Sequence, residues 1–169
     1  NRLVGFPYTK AMNSNWDLDQ AAAIILCSVQ AAESAGVSRD RWLFPHSGTA
    51  GADTNFVSNR GDLHSSPAIR VAGPRAMELA AVTPDELGRV GLYSCFPSAV
   101  QIAATELGLG IERQLTQTGG LTFAGGPLNN YVTHSIATMA NVLRNEPGSI
   151  GFCSANGGYI TKHAFGVYS

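Results

Sequence analysis

Three short segments in the second half of the chain constrain it more than any other feature. They are Leu92-Tyr93-Ser94-Cys95-Phe96, Thr118-Gly119-Gly120-Leu121-Thr122-Phe123-Ala124-Gly125-Gly126-Pro127 and Ser154-Ala155-Asn156-Gly157-Gly158-Tyr159. Each puts small residues where a strand-like run ends, so that the backbone can approach a ligand closely. In open α/β sheets such strand ends are where ligands bind. The chain is therefore read first as a layered fold whose loops converge on one edge.

The remaining pattern fits that reading. Residues 1–16 are polar and aromatic and form an irregular lead-in. Residues 21–29 are apolar except for Ser28. Periodicity reads them as a helix with acids in its first turn and Gly36 behind it, whereas a strand through Cys27 followed by a helix from Ser28 is the preferred alternative. Residues 41–44 are a strand candidate stopped by Pro45. Residues 46–65 read as a polar loop, longer than compact domains usually carry without function. Residues 67–81 have helical character, 90–93 a strand, and 97–107 a helix opened by Pro97 and closed by Gly108. Residues 121–123 read as a short strand and 129–144 as a helix ended by Asn145 and Pro147. Residues 150–154 and 159–167 are the last two strands, joined through a tight Asn156-Gly157-Gly158 turn. The expected architecture is α/β, a mixed five-stranded sheet with helices on both faces and an antiparallel last strand.

Composition narrows the function classes. Only 14% of the residues are charged while 44% are hydrophobic, which suggests large surfaces that face other protein, since ordinary domains carry about 25% charged residues. The formal net charge is −1 and there is no Lys/Arg run, so nothing favours nucleic acid or an anionic membrane. The longest apolar stretch is too short to span a bilayer. Three cysteines, Cys27, Cys95 and Cys153, without a CxxC pair argue against a disulfide framework and against zinc, and fit reduced thiols in the cytoplasm. His46, His64, Asp53 and Asp62 fall in or beside the long loop but match no compact ligand spacing, so no metal is assigned. Lys162 and His163 are read as the polar outer face of the last strand. With its start at Asn1, the whole chain, 1–169, is read as one piece of a longer protein.

In their order and spacing the three segments resemble the C-terminal half of a thiolase, closest to the lipid-transfer (sterol-carrier) type, whose first motif ends in Cys-Phe as Cys95-Phe96 does here. The resemblance runs from about Trp16 to Ser169. It implies a layered-sandwich half, and it implies departures. Gly126 stands where the family carries the His of its Gly-His-Pro motif, and Ser154 where it usually carries the Cys of its last Gly-rich loop. Tyr93 stands where the family keeps an Asn or His that touches the reacting centre. A tyrosine there can donate or orient a proton when a neighbour lowers its pKa, or it can be a packed strand aromatic; the two readings are level. Asn156 aligns with a residue whose N–H contributes to an oxyanion hole. Gly126 can offer only backbone N–H and space at a helix start. Asn129 and Tyr131 replace small residues of the motif, and His134 lies one turn on, as a proton shuttle or a structural helix residue. Cys95, Phe96, Gly157 and Gly158 complete the expected substrate contacts. Cys95 is read as a small core residue rather than a nucleophile, and Cys153, on the opposite strand face from Ser154, as core-facing.

What the resemblance implies about activity takes three forms. One is an acyltransferase related to acetyl-CoA acetyltransferase in lipid metabolism, making or breaking a carbon–carbon bond beside a coenzyme A thioester, with no covalently bound cofactor. Another is a retro-aldolase on β-hydroxyacyl-CoA, of the sterol side-chain type, using tyrosines (Tyr93, Tyr131, Tyr159) and a small OB-fold partner protein. The third is a non-catalytic acyl-CoA or lipid binder. In each, an N-terminal half of the same protein covers one face and the complete protein is a homodimer.

Overall fold

The computed structural model describes residues 2–169. Its centre is a four-stranded mixed sheet built from β3 (Pro45–Ala52), β4 (Arg89–Gly91), β5 (Gly151–Gly157) and β6 (Lys162–Tyr168), in the order β3-β6-β5-β4. β6 is antiparallel to both β3 and β5, and β4 runs parallel to β5. A separate two-stranded ribbon, β1 (Leu3–Gly5) with β2 (Tyr8–Thr9), precedes it. Five helices follow in chain order: α1 (Val29–Ser34), α2 (Pro67–Leu79), α3 (Pro97–Glu106), the single turn α4 (Gly120–Phe123) and α5 (Tyr131–Arg144).

Strand alternation sorts the core into two layers. Phe152, Val167 and Phe165 point to one face, where they pack with Ile69, Ala76 and Met77 of α2 and Ile102 and Ala103 of α3. Phe152 is fully buried and stacks on Phe165 with ring centroids 5.7 Å apart. Burying a side chain of that size contributes about 2–3 kcal/mol. On the opposite face α5 lies so close that a Cβ at Gly151 would sit 2.6 Å from Met139 Sδ. Helices thus cover both faces, as expected. Pro67 and Pro97 each open a helix, where a missing N–H costs nothing.

Several expected elements differ. The sheet has four strands, not five. Residues 41–44 are not a strand; a 3-10 turn at Arg39–Arg41 ends in extended backbone, and the strand begins at Pro45, inside the expected loop. That strand forms by pairing along its length with β6. Ser47 and Thr49 also donate their hydroxyls to the α2 carbonyls of Ala76 and Ala72 (both 2.6 Å). Residues 121–123 lie in α4 rather than in a strand, because Gly119 and Gly120 both take positive φ (91° and 82°) and turn the chain. Beside β4 a single backbone bond, Leu92 N–H to Leu115 O at 2.7 Å, stands where a further strand would pair. The expected helix from residue 129 starts as a 3-10 turn, Leu128–Asn130, and becomes α-helical at Tyr131.

Residues 21–27 make neither the expected strand nor the alternative helix. They carry no regular element, and Ile25 and Leu26 are 89% and 83% exposed. Ser28 caps α1 by accepting the Ala31 N–H at 3.1 Å, so the helix does begin just after it. The chain exposes 9896 Å², where a compact monomer of its mass exposes about 8,000 Å². Apolar residues without a neighbour account for part of that excess.

Candidate active site

The first and third of the three segments meet because β4 and β5 are parallel neighbours. Tyr93 follows β4, and its backbone N–H donates to Ser154 Oγ at 2.9 Å. Ser154, Asn156 and His163 point to the same sheet face, since Asn156 pairs with His163 across β5 and β6. With Tyr93, Ala99, Ile160 and Phe165 they line a narrow pocket. The Asn156 side chain donates Nδ2–H to Cys95 Sγ at 3.5 Å, while its Oδ1 is buried without a partner.

The second segment adds Tyr131. Its ring meets Tyr93 edge to face, with centroids 5.2 Å apart and planes at 84°, and its hydroxyl pairs with Thr118 Oγ1 at 2.7 Å. Ser94 Oγ accepts the Leu121 N–H at 3.1 Å, tying the first segment to the second. A wider cleft, with about 260 Å³ of room, opens beside Tyr131, lined also by Gln20, Gln117, Thr118, Gly125, His134 and Thr138. His134 faces Asn130 at 3.2 Å. Tyr93, Tyr131, Ser154, Asn156 and Cys95 thus come together, with His134 on the cleft one turn along α5 from Tyr131. The lining of the cleft holds no Lys, Arg, Asp or Glu.

The protonation states follow from burial. Desolvation chiefly raises the Tyr93 phenol, and the neighbouring ionisable groups of Cys95 and Tyr131 add to the rise. Burial likewise raises Tyr131, with the Thr118 and Ser94 hydroxyls working against it. Both tyrosines therefore stay neutral donors at physiological pH, rather than gaining the lowered pKa that a proton acceptor would need. The Cys95 thiol is raised by burial, partly offset by the Asn156 amide, which leaves it a thiol rather than a nucleophile. Cys153 is buried against α5, near Ser135, and is pushed up to about 12 by desolvation.

Other expected site residues stand differently. Gly126 has no free N–H, for it donates to Asn15 O at 2.7 Å. The space is also tight, since a Cβ there would stand 3.2 Å from Leu121 Cδ2 and 3.3 Å from Ser14 Cβ. The Ser154 hydroxyl is engaged as the acceptor from Tyr93. Asn129 is exposed at the start of α5, Phe96 is 49% exposed ahead of α3, and Tyr159 is 78% exposed, on the Gly158 turn and outside the site. Gly157 ends β5, and Gly158 turns with φ +63°.

His163 is the residue that sequence reasoning missed. Instead of lying on a polar outer face, its side chain is 2% exposed, with Nε2 3.6 Å from Asp53 Oδ2 and 3.4 Å from Ser66 Oγ. Ser66 in turn donates to Asp53 and caps α2 through the Ile69 N–H. Lys162, its neighbour, is exposed as expected. Alternation along β6 was the available signal, since residue 163 shares its face with Phe165 and Val167. Among the described residues no group of three or more His, Cys, Asp or Glu could hold a metal ion.

His163 also links stability to pH. Burial lowers its pKa below the ordinary value of 6.5; Asp53 and the Ile160 carbonyl work against that, and Arg60 adds to it. As pH falls through about 6.5 the unfolded chain takes a proton that the folded chain refuses, so stability drops on acidification and is fully present above that value. The wild type should therefore lose melting temperature faster between pH 6.5 and 5 than His163→Gln. Parallel curves for the two would show that His163 does not titrate in this way.

No protein-family profile matches the sequence. Among solved structures, the chain is similar to a monomeric SCP2-thiolase like protein type 1 from Mycobacterium smegmatis, at a TM-score of 0.80 and 35% identity over 84% of this chain. The match covers 32% of that protein, so this chain spans about a third of its length. The fold is thiolase-like. Among the described residues no helix is long and apolar enough to cross a membrane.

Proposed function

We propose that this chain is the C-terminal half of a thiolase-fold protein that acts on coenzyme A thioesters, at the carbon–carbon bond beside the carbonyl, and that it is a poor thiolase. The observation that carries the reading is the meeting of Tyr93 and Tyr131 at the strand ends, next to Asn156, in a site where residue 126 offers neither a side chain nor a free N–H. Neutral phenols can donate to the oxygen of a thioester as it gains enolate charge, and donors fixed in a partly dry site are worth more than in water. The nucleotide of coenzyme A needs cations that the cleft lacks, which suits its being held by the N-terminal half. That half would also cover Ile25 and Leu26. The complete protein would be a homodimer, although the solved relative is described as monomeric.

A second reading is favoured by the tyrosine pair. In a retro-aldol cleavage a β-hydroxyacyl thioester loses its hydroxyl proton, the Cα–Cβ bond breaks, and a carbonyl fragment leaves. The enolate that remains is held by the donors and takes a proton at Cα, giving a shorter acyl-CoA. His134, one turn along α5 from Tyr131 and on the same cleft, is the group that could carry the proton. A small OB-fold partner protein belongs to this reading.

Calorimetric titration of the complete protein with acetoacetyl-CoA and with 3-hydroxybutyryl-CoA tests the shared premise. Binding of either in the micromolar to millimolar range is expected. Turnover of the hydroxyacyl thioester alone would favour the aldolase, and binding without turnover would favour a non-catalytic binder. Failure to bind any acyl-CoA would overturn the proposal.

A further inference from the structure

The segment ahead of the first helix is held as firmly as the sheet. Ser14 N–H donates to Cys95 O (3.1 Å) and Asn15 N–H to Leu121 O (3.0 Å), while Gly126 N–H donates back to Asn15 O (2.7 Å). Thr122 Oγ1–H donates to Met12 O at 2.9 Å. Further along, Gln20 Nε2–H donates to Ala124 O at 2.9 Å. Residues 12–20 thus form a strap fastened to the first two of the three segments.

The strap accounts for both glycines beneath it. A Cβ on Gly126 would stand 3.3 Å from Ser14 Cβ and 3.4 Å from Asn15 O, and one on Gly125 would stand 2.3 Å from Leu18 Cδ2 and 3.0 Å from Gln20 Oε1. Gly125 also has φ +94°, whereas Gly126 is not among the positive-φ residues, so what Gly126 provides is room. A side chain at residue 126 would push the strap out of its present place.

Where the strap reaches the cleft, it contributes Gln20. Gln117 contributes a second amide, and its Nε2–H is likewise tied to a backbone carbonyl, that of Val90 at 2.9 Å. Each amide keeps its oxygen as an acceptor. With Thr118, Tyr131, His134 and Thr138 around them, the wall carries no Lys, Arg, Asp or Glu and is rich in acceptors. Such a wall suits a neutral ligand with its own O–H or N–H donors and rejects a carboxylate.

We propose that the strap, pinned over Gly125 and Gly126, forms a fixed wall of the cleft where Gln20 enters it, and that Gln20 recognises a hydroxyl or amide donor of the bound thioester. The role of Gln20 rests on the acyl-CoA reading above, whereas the wall does not. The donor can come from a hydroxylated acyl chain or from the amide-bearing arm of coenzyme A.

Hydrogen exchange on the complete protein tests the wall without any ligand. Gly126→Ala should speed exchange at the amides of Ser14, Asn15 and residue 126 at least fivefold, and adding Ser14→Gly should recover part of the protection. Unchanged exchange in Gly126→Ala would overturn the wall. For Gln20, binding of 3-hydroxybutyryl-CoA and butyryl-CoA to Gln20→Leu is compared with wild type. A loss of about fivefold confined to the hydroxylated ligand assigns the acyl hydroxyl, and an equal loss for both assigns the coenzyme A arm. Unchanged binding of both would overturn the role of Gln20. Wild-type protein that binds neither would remove the acyl-CoA reading and Gln20 with it, while the exchange result would still decide the wall.

Discussion

Thiolysis of acetoacetyl-CoA by the complete protein should run about 10²–10⁴ times slower than in a thiolase that keeps an imidazole at the place of Gly126, the usual cost of losing a positioned acid–base. The expectation is stronger from the structure than from the residue change alone. A vacated site could admit a water or a neighbouring side chain, but here the strap crowds the space at Gly126 and Asn15 O takes its N–H. Ser154 offers no remedy, because its hydroxyl already accepts the Tyr93 N–H and has far too high a pKa to act as a thiolate would. A rate comparable to an ordinary thiolase would mean that another group serves, and His134 is the imidazole on the cleft. His134→Ala should then remove the activity. If thiolysis stayed fast in that variant as well, the account of the site as deprived of its acid–base would be wrong.

What the sequence makes legible is what neighbours along the chain decide. Pro67 and Pro97 announce α2 and α3, and the antiparallel hairpin of β5 and β6 follows from two apolar runs around a Gly-Gly pair. The meeting of Tyr93 with the last loop follows from the resemblance to a known scaffold, and the structure brings the two together. Most of the misreadings depend on distant partners. Pro45–Ala52 carries Gly, Ser and Ala and has little strand propensity; it becomes a strand because it pairs along its length with β6, and its hydroxyls reach the carbonyls of α2. Residues 121–123 look like a strand by composition, yet two glycines at positive φ decide the backbone there. Asp53 and His163 lie 110 positions apart, and no local pattern pairs them. The strap is hidden for the same reason, since Ser14 and Asn15 find their partners near residues 95, 121 and 126.

Replacing Tyr93 by Phe should lower turnover at least tenfold, about 1.4 kcal/mol of transition-state stabilisation, and leave the melting temperature unchanged. Tyr93 follows β4 where it can reach a bound ligand, and its ring is already fixed against Tyr131. Its hydroxyl makes no hydrogen bond to the described residues; only its backbone N–H is engaged, by Ser154. Removing that oxygen therefore takes nothing from the fold while taking a donor from the site. Tyr131→Phe is the contrasting variant. Its hydroxyl is bonded to Thr118, so its loss should cost about 1 kcal/mol of stability, whatever happens to turnover. Because burial raises the Tyr93 phenol, its donor form should persist into the alkaline range, and a turnover that depends on it should hold from neutral pH upward until the phenol ionises. Turnover preserved in Tyr93→Phe on a substrate the wild type converts would end the case for Tyr93 as a catalytic residue. Without that donor, Tyr131 would be the remaining phenol at the strand ends, and its hydroxyl is already committed to Thr118; the site would then read as one that binds the thioester without acting on it.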